Sequence, residues 1–301
     1  MKKQVRMATL LVATAMAAHA GMKAFEVTPE WSARIATLAP DKPAAEIKTP
    51  HRALLFSRMT GFKHWVTPHT AEMVKILGTK SGAFEVVQSD DVTMFAPENI
   101  KQFDLIILNN TCSDGKKRDL FWDATQDETK AAMLEKSLID HVAAGAGLVS
   151  IHGGIVMQNN SMAFSNMIGG SFDFHPRQQE VTCNVVDPDH PIVKPFSGKP
   201  LVHVDEPYLF KNAYRDKNFR PLLEMDTATL DCGKKGESVR SDKRYVAWIK
   251  RHGKGRVFYC SPSHNAQSFE NPELLSFILN GIQYAAGDLE CDDSPMKETK
   301  Q

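Results

Sequence analysis

Short apolar runs alternate with amphipathic segments of helical period between residues 52 and 287. The run 103–108 is apolar at all positions but one, as in a strand that helices cover on both faces of a parallel sheet. The pattern predicts strands at 53–56, 84–87, 103–108, 148–151, 180–186, 201–209, 244–249 and 256–260. Strands that alternate with helices indicate an α/β fold with an open, doubly wound and mostly parallel sheet.

Three longer helices are predicted between or after these strands. Thr67 and Pro68 offer an N-cap and a proline for the first turn of one helix. Residues 125–128 have the form of a capping box, so the second helix is expected to open there. The third covers about 272–286, where apolar residues recur at helical spacing.

The first twenty residues have the form of a cleaved secretory signal. Three basic residues precede the apolar run 7–18, and Ala18 and Ala20 occupy the two small positions that a signal peptidase reads. We expect cleavage after Ala20 and a periplasmic or secreted protein. The run is too short to cross a bilayer of about 30 Å, and no later segment is longer, so membrane insertion is not expected.

The rest of the chain divides into three parts. Residues 21–50 form a proline-rich N-terminal leader with one short amphipathic stretch, expected to pack on the main domain. The main domain covers 51–287, and 288–301 form a polar tail. The sequence leaves a homo-oligomer open.

Composition narrows the class of protein. With 301 residues, 42% of them hydrophobic and 24% charged, the chain is globular and can bury a large core without a structural metal. Lysine and arginine number 36, as do aspartate and glutamate. This balance supplies no basic field for phosphates, so a nucleic-acid partner is not expected.

Four histidines are predicted near the carboxyl ends of strands, where open α/β sheets bind their ligands. His64 and His264 each follow a strand, His152 ends one, and His175 lies in a loop before the next. A single loop histidine is more often a solvated or hydrogen-bonded side chain. Four at one edge would form a pocket suited to proton transfer or metal binding.

Two adjacent carboxylates, Asp205 and Glu206, are the acidic candidates. If 201–206 is extended, they point to opposite faces of the strand, so they are not an obvious acid/base pair. One arrangement has one carboxylate in the pocket and the other orienting a neighbour.

The five cysteines are Cys112, Cys183, Cys232, Cys260 and Cys291. Their spacing predicts either structural thiols or one or two bridges, with at least one thiol unpaired in a monomer. Cys260 stands four residues before His264, which leaves a catalytic Cys/His pair open. At the end of the strand 148–151, His152 takes the place of a Ser or Cys nucleophile, so acyl transfer there is not expected.

Several short motifs occur in a characteristic order. They are Gly61–His64, Ser89–Asp91, Gly147–His152, Gly169–Gly170, Phe174–Pro176, Asp205–Tyr208, Ala247–Trp248, Gly253–Tyr259 and His264. In this order they resemble the ThuA-like, trehalose-utilization family over about residues 52–287. The resemblance implies the flavodoxin-like three-layer sandwich of class I glutamine amidotransferases, without their catalytic cysteine. The chain departs from the family pattern at 261–263 and in an insertion near 113–127.

The resemblance also implies a function in carbohydrate catabolism, as a hydrolase or lyase that cleaves oxidised (3-keto) glycosides or disaccharides. A ketone at C3 acidifies the C2 hydrogen, so a base can remove it and the C1 substituent can leave. The residues expected to transfer protons are His152, His175 and Glu206. Those expected to bind the substrate are His64, Asp205, Tyr208 and His264. A divalent metal such as zinc is a possible cofactor, with His64, His152 and His264 as candidate ligands.

Two other interpretations stay open. One is a non-catalytic accessory protein that binds a small-molecule sugar in the same pocket. The other is a cysteine hydrolase on the amidotransferase-like scaffold, centred on Cys260.

Overall fold

The computed structural model describes residues 22–47 and 49–296. The predicted signal sequence and the last part of the predicted tail lie outside these residues. In the described part of the chain, the strands are β1 (His51–Phe56), β2 (Phe84–Ser89), β3 (Leu105–Asn109), β4 (Gly147–Ile151), β5 (Ser171–Phe174), β6 (Gln179–Val185), β7 (Leu201–Asp205), β8 (Leu209–Lys211), β9 (Arg220–Met225), β10 (Arg244–His252) and β11 (Gly255–Cys260).

The helices surround these strands and carry the longer amphipathic segments. They are α1 (Pro29–Leu38), α2 (Thr67–Ser81), α3 (Pro97–Ile100), α4 (Leu120–Thr125), α5 (Glu128–Ala144), α6 (Met162–Ile168), α7 (Gly236–Arg240) and α8 (Pro272–Ala286).

A nine-stranded sheet in the order β2-β1-β3-β4-β11-β10-β9-β6-β7 forms the centre of the protein. The strands from β2 to β11 in this order are parallel, and the strands from β11 to β7 pair antiparallel. Since crossovers between parallel strands are right-handed, α2 and α5 cover opposite faces. The doubly wound α/β fold is thus confirmed. The antiparallel strands β10, β9, β6 and β7 extend the sheet beyond its parallel strands. The order reverses between β1 and β3, which is where such sheets bind ligands.

Two local predictions were wrong. The N-cap of α5 is Asp127, whose side chain accepts hydrogen bonds from Thr129 N and Lys130 N. Thr125 instead ends α4, a short helix that the apolar pattern does not reveal. The predicted strand 201–209 is interrupted after Asp205, and β8 pairs with β5 in a separate two-stranded sheet.

The leader packs on the main domain as predicted. Thr28 caps α1, and the side chains of Trp31 and Ile35 are buried against the neighbouring helix α2. All five cysteines lie in the described residues and are free thiols, so the bridge alternative was wrong. Within the same residues, no helix combines the length and the apolar character that a bilayer span requires.

Helix α8 packs tightly on the sheet where Gly281 faces Phe258 of β11. A Cβ atom at Gly281 would lie 2.2 Å from Phe258 Cε1, so only hydrogen fits there. This contact holds α8 against β11, the strand that leads into the 261–264 loop.

We expect Gly281→Ala to lower the free energy of unfolding by about 1–2 kcal/mol. Overpacking a core costs about 1–3 kcal/mol, which exceeds the gain of roughly 0.5–1 kcal/mol for alanine over glycine in a helix. Urea unfolding measures the difference. Gly115→Ala is the control, because a Cβ atom there meets nothing within 4 Å. Equal stability of G281A and the unmodified protein would contradict this account.

Candidate functional site

A cavity of about 260 Å³ opens beyond the carboxyl ends of the parallel strands. On the side of the main sheet it is lined by His64 and Cys112, which follow β1 and β3. On the side of the small sheet it is lined by Phe172, His175 and Tyr208. The cavity therefore lies between the two sheets, at the edge where the sequence predicts the histidines.

The Glu206 carboxylate lies at the centre of the site. Its Oε2 atom is 3.2 Å from His264 Nδ1 and 3.5 Å from His152 Nε2. The same oxygen is 3.7 Å from His175 Nε2 and 4.0 Å from His64 Nε2. The structure thus brings the four predicted histidines together around one carboxylate oxygen.

His152 is held in a strained conformation directly after β4. Its φ angle is +45°, in the left-handed region that residues other than glycine seldom adopt. Nδ1 donates to the Ser261 carbonyl at 2.8 Å, and Tyr259 Oη donates to the His152 carbonyl at 3.2 Å. Such strain persists only where surrounding contacts enforce it, and it occurs often at functional sites.

Gly153 allows the strands to bring His64 and Cys112 close to His152. A Cβ atom at Gly153 would lie 2.7 Å from Cys112 Sγ and 2.9 Å from His64 Cε1. The Cys112 thiol donates to the Gly153 carbonyl at 3.6 Å, and its sulfur lies 3.6 Å from His64 Nδ1. These contacts fix the orientation of the His64 ring.

Asp205 organises the loop that carries His264. Its Oδ2 atom accepts hydrogen bonds from Ser263 N at 3.0 Å and His264 N at 3.3 Å, and His203 Nδ1 lies 3.3 Å from it. Oδ1 accepts from Glu206 N at 2.7 Å. Asp205 therefore orients its neighbours from behind the cavity, while Glu206 faces into it.

Burial and the charges of neighbouring side chains shift the pKa values of residues in the site. Burial, together with the charges of His152 and His264, lowers the pKa of His64 to about 2, so this imidazole is neutral at neutral pH. Burial alone would raise the pKa of Glu206, but hydrogen bonds from His152 and His264 outweigh it and hold that pKa below its usual range. Burial raises the pKa of Tyr208 well above its ordinary value, so its hydroxyl stays a donor.

The predicted residues occupy two layers. His64, His175, Glu206 and Tyr208 line the cavity. His152 and His264 are buried behind Glu206, where they contact its carboxylate. The inner pair is joined, because His264 Nδ1 lies 3.2 Å from His152 Nε2.

Sequence reasoning missed several residues that line the cavity, namely Phe62, Cys112, Arg118 and Phe172. Cys112 follows β3 by three residues, so the strand-end criterion used for the histidines also applies to it. Phe62 is 63% exposed, and its ring lies 4.8 Å from that of His64. Its position inside the motif Gly61–His64, next to a predicted site histidine, was the feature of the sequence that could have identified it.

Cys260 does not have the surroundings of a nucleophile. It is fully buried, and its thiol donates to the Pro262 carbonyl at 3.6 Å. Burial raises its pKa well above the ordinary value, which disfavours the thiolate that attack requires. His264 directs Nδ1 toward Glu206. The geometry therefore does not favour a cysteine hydrolase centred on this residue.

Four side chains offer donor atoms that could hold a metal ion together. They are His64, His152, Glu206 and His264. One donor atom from each lies within 4.8 Å of the other three. The three imidazoles are the candidate ligands predicted from the sequence.

Comparison with known proteins gives a consistent result. A family model described as ThuA, trehalose utilisation, matches residues 52–285. No curated protein shows a significant match to the chain.

Solved structures with a similar fold include a ThuA-like protein from Bacteroides uniformis, which is 18% identical to this chain. The alignment covers 81% of this chain and 94% of the Bacteroides protein, with a TM-score of 0.61. A ThuA-like protein from Parabacteroides merdae is also 18% identical, covers 79% of this chain and 91% of its own, and has a TM-score of 0.56. PurLQS from Thermotoga maritima aligns at 14% identity over 77% of this chain and 99% of its own, with a TM-score of 0.46. At these identities the first two structures show the fold alone.

We expect Asp205→Asn to lower the free energy of unfolding by about 1–3 kcal/mol, because one oxygen that accepts buried hydrogen bonds is replaced by a donor. Urea unfolding followed by circular dichroism gives the value. Asp173→Asn is the matched control on β5, since Asp173 is exposed and should change the stability by less than about 0.5 kcal/mol. Similar effects of the two variants would show that Asp205 does not organise the loop.

Proposed function

Because the chain belongs to the ThuA family of trehalose utilisation, we propose that it is an enzyme that cleaves a glycoside or disaccharide oxidised at C3. Family membership supports a carbohydrate-related role. The observation that carries the proposal is the Glu206 carboxylate surrounded by four imidazoles at the wall of a cavity. That arrangement is suited to moving protons, and burial raises the pKa of the Cys112 thiol beside it to about 12, which disfavours attack by a thiolate.

The size of the cavity favours a single sugar ring inside it. Its volume of about 260 Å³ is close to the lower limit of small-molecule sites. Phe62 projects an exposed ring at the cavity, where it can pack against the apolar face of a pyranose. The group attached at C1 would then extend toward solvent, and its identity would matter less than the oxidised ring.

We assign the first proton transfer to His175. It is the most accessible of the four imidazoles, with 34% of its side chain exposed, and it lines the cavity. Neutral His175 removes the hydrogen at C2, and the electron pair of that bond forms the enolate with the C3 carbonyl. The Glu206 carboxylate, 3.7 Å away, stabilises the imidazolium that results.

The second step expels the substituent at C1. The enolate reforms the ketone while a C1–C2 double bond forms and the C1–O bond breaks. The departing oxygen takes the proton from His175, so the products are a free alcohol or sugar and an unsaturated 3-keto sugar. Addition of water across the double bond then yields the free 3-keto sugar.

Tyr208 and the inner histidines support these steps. The Tyr208 hydroxyl remains protonated and lies in the cavity, where it can donate to the enolate oxygen. His152 and His264 hold the Glu206 carboxylate in place from behind, at 3.5 and 3.2 Å. Their part is to position Glu206, since neither lines the cavity.

The proposal includes action outside the cytoplasm. The basic and apolar pattern of the first twenty residues is that of a secretory signal. Sequencing the N-terminus of protein secreted by the native cells would test cleavage after Ala20.

The reaction itself is tested with 3-keto-trehalose in D₂O. We expect NMR to show deuterium exchange at C2 and release of glucose, because removal of the C2 proton precedes cleavage. Calorimetric binding of the sugar with neither exchange nor release would indicate instead a sugar-binding accessory protein. Loss of activity in Cys260→Ala would favour the hydrolase interpretation.

His175→Gln is expected to lower kcat by about 10²–10⁴-fold with little change in KM, since it removes the base but not the cavity. Steady-state kinetics on the same substrate measure both constants. His252→Gln is the control, because His252 ends β10 at the opposite end of the sheet from the site. A kcat for H175Q within a few-fold of the unmodified protein would exclude His175 as the base.

Phe62→Ala should weaken sugar binding about fivefold, which corresponds to the loss of about 1 kcal/mol of stacking. Because Phe62 is 63% exposed, the stability of the fold should not change measurably. Calorimetry with a non-reactive sugar analogue gives the affinity, and Val202→Ala, 50% exposed on the edge strand β7, is the control. Unchanged affinity in F62A would show that the ring does not contact the sugar.

A further inference from the structure

The donor atoms of the inner site have the spacing of a metal coordination shell. Glu206 Oε2 lies 3.2 Å from His264 Nδ1 and 3.5 Å from His152 Nε2, and those two nitrogens are 3.2 Å apart. Zinc bound at 2.0–2.1 Å in a tetrahedron places its ligand atoms about 3.3 Å from one another. His64 Nε2, at 4.0 Å from Glu206 Oε2, completes the set.

The protein also directs the lone pairs of two imidazoles inward. The Ser261 carbonyl can only accept, so His152 Nδ1 carries hydrogen, and Nε2 offers its lone pair to an ion once the proton that it shares with Glu206 is released. The Cys112 thiol uses its hydrogen on the Gly153 carbonyl, so its sulfur accepts from His64 Nδ1–H. The lone pair of His64 is then on Nε2, which lies 3.5 Å from the Tyr208 hydroxyl and 4.0 Å from Glu206 Oε2.

The hydrogen bond of His152 to a backbone carbonyl is the outer contact that metal-binding histidines typically make, and for His64 the Cys112 sulfur takes the corresponding place. These contacts leave two nitrogen lone pairs and a carboxylate directed at the same small volume, next to His264 Nδ1. In the absence of a cation, such groups repel one another unless protons are shared between them. A single divalent ion would accept a lone pair from each.

We propose that this protein binds one divalent transition-metal ion, zinc or an ion of similar preference, through His64 Nε2, His152 Nε2, His264 Nδ1 and Glu206 Oε2. Three imidazoles and one carboxylate suit zinc and its first-row neighbours, whereas magnesium and calcium prefer oxygen ligands alone. Metal binding does not depend on the sugar chemistry proposed above.

His175 is outside the ligand set although it lies beside the same carboxylate. Its Nδ1 contacts the Pro176 carbonyl at 2.8 Å, and its side chain remains 34% exposed. His175 therefore stays available to move protons while the inner histidines hold the ion. This division assigns different tasks to imidazoles that the sequence cannot distinguish.

The ion would adjoin the cavity, because His64 and Glu206 contribute to both the ligand set and the cavity lining. A metal in this position supplies Lewis acidity toward a carbonyl or enolate oxygen of a bound molecule.

The test is metal binding in the absence of any sugar. Protein stripped with EDTA is titrated with ZnCl₂ by calorimetry, and bound metal is counted by mass spectrometry after gel filtration. We expect one zinc ion per chain and a higher thermal unfolding midpoint in its presence. Glu206→Gln and His264→Gln should each weaken zinc binding by at least about tenfold.

His175→Gln is the matched control, since it removes an imidazole next to Glu206 that is not a ligand, and its zinc affinity should stay within a few-fold. Cobalt loading tests the donor types, because a thiolate ligand would add an intense charge-transfer band. Cys112→Ser should leave the cobalt spectrum unchanged.

Substoichiometric zinc in the folded protein would overturn the proposal, as would full affinity in both E206Q and H264Q or loss of binding in H175Q. Circular dichroism shows whether each variant is folded. Because two ligand variants are measured, the test still applies if one of them does not fold. Zinc binding without turnover of the keto sugar would refute the proposed reaction and leave the metal site standing. Turnover by folded protein that binds no zinc would overturn the metal site and leave the proposed reaction standing.

Discussion

The central constraint is the burial of one carboxylate. An ionised Glu206 with only 11% of its side chain exposed loses much of its hydration and is stable only if polar partners replace the water. The four imidazoles around its Oε2 atom replace that water, and hydrogen bonds from His152 and His264 keep the group ionised despite its burial. The positions of His152 and His264 follow from this requirement, because displacing either ring leaves a buried charge incompletely paired.

The fold satisfies this constraint with groups from distant parts of the chain. The ends of β1, β4 and β11 bring three of the histidines to one edge, and the small sheet brings the fourth. Asp205 connects the segment that carries Glu206 with the loop that carries His264, since it accepts hydrogen bonds from the backbone N–H groups of both residues. The strained φ of His152 has the same origin, because a relaxed backbone after β4 would turn the ring away from the carboxylate.

The site joins two chemical functions within one cluster. The inner histidines are buried and bonded to backbone or to each other, which suits fixed ligands or supports. His175 is accessible and faces the cavity, which suits a group that exchanges protons with a bound molecule. A base and a neighbouring electrophilic centre held a few ångströms apart are what removal of a proton next to a ketone requires. The trehalose-utilisation family supplies the carbohydrate context for that chemistry.

Hydrophobic periodicity by itself determined the α/β class, the parallel strands and α8, because strands and long helices follow from local patterns of apolar residues. It also placed the histidines after strands, which was enough to predict a shared pocket. Only the tertiary structure decided that Glu206, rather than Asp205, is the carboxylate at the centre, and that His175 is accessible while His152 is buried. Alternation along a strand assigns two neighbours to opposite faces but does not say which face meets the pocket. That choice depends on the break between β7 and β8 and on contacts with residues distant in the chain, such as Ser263, which no local pattern encodes.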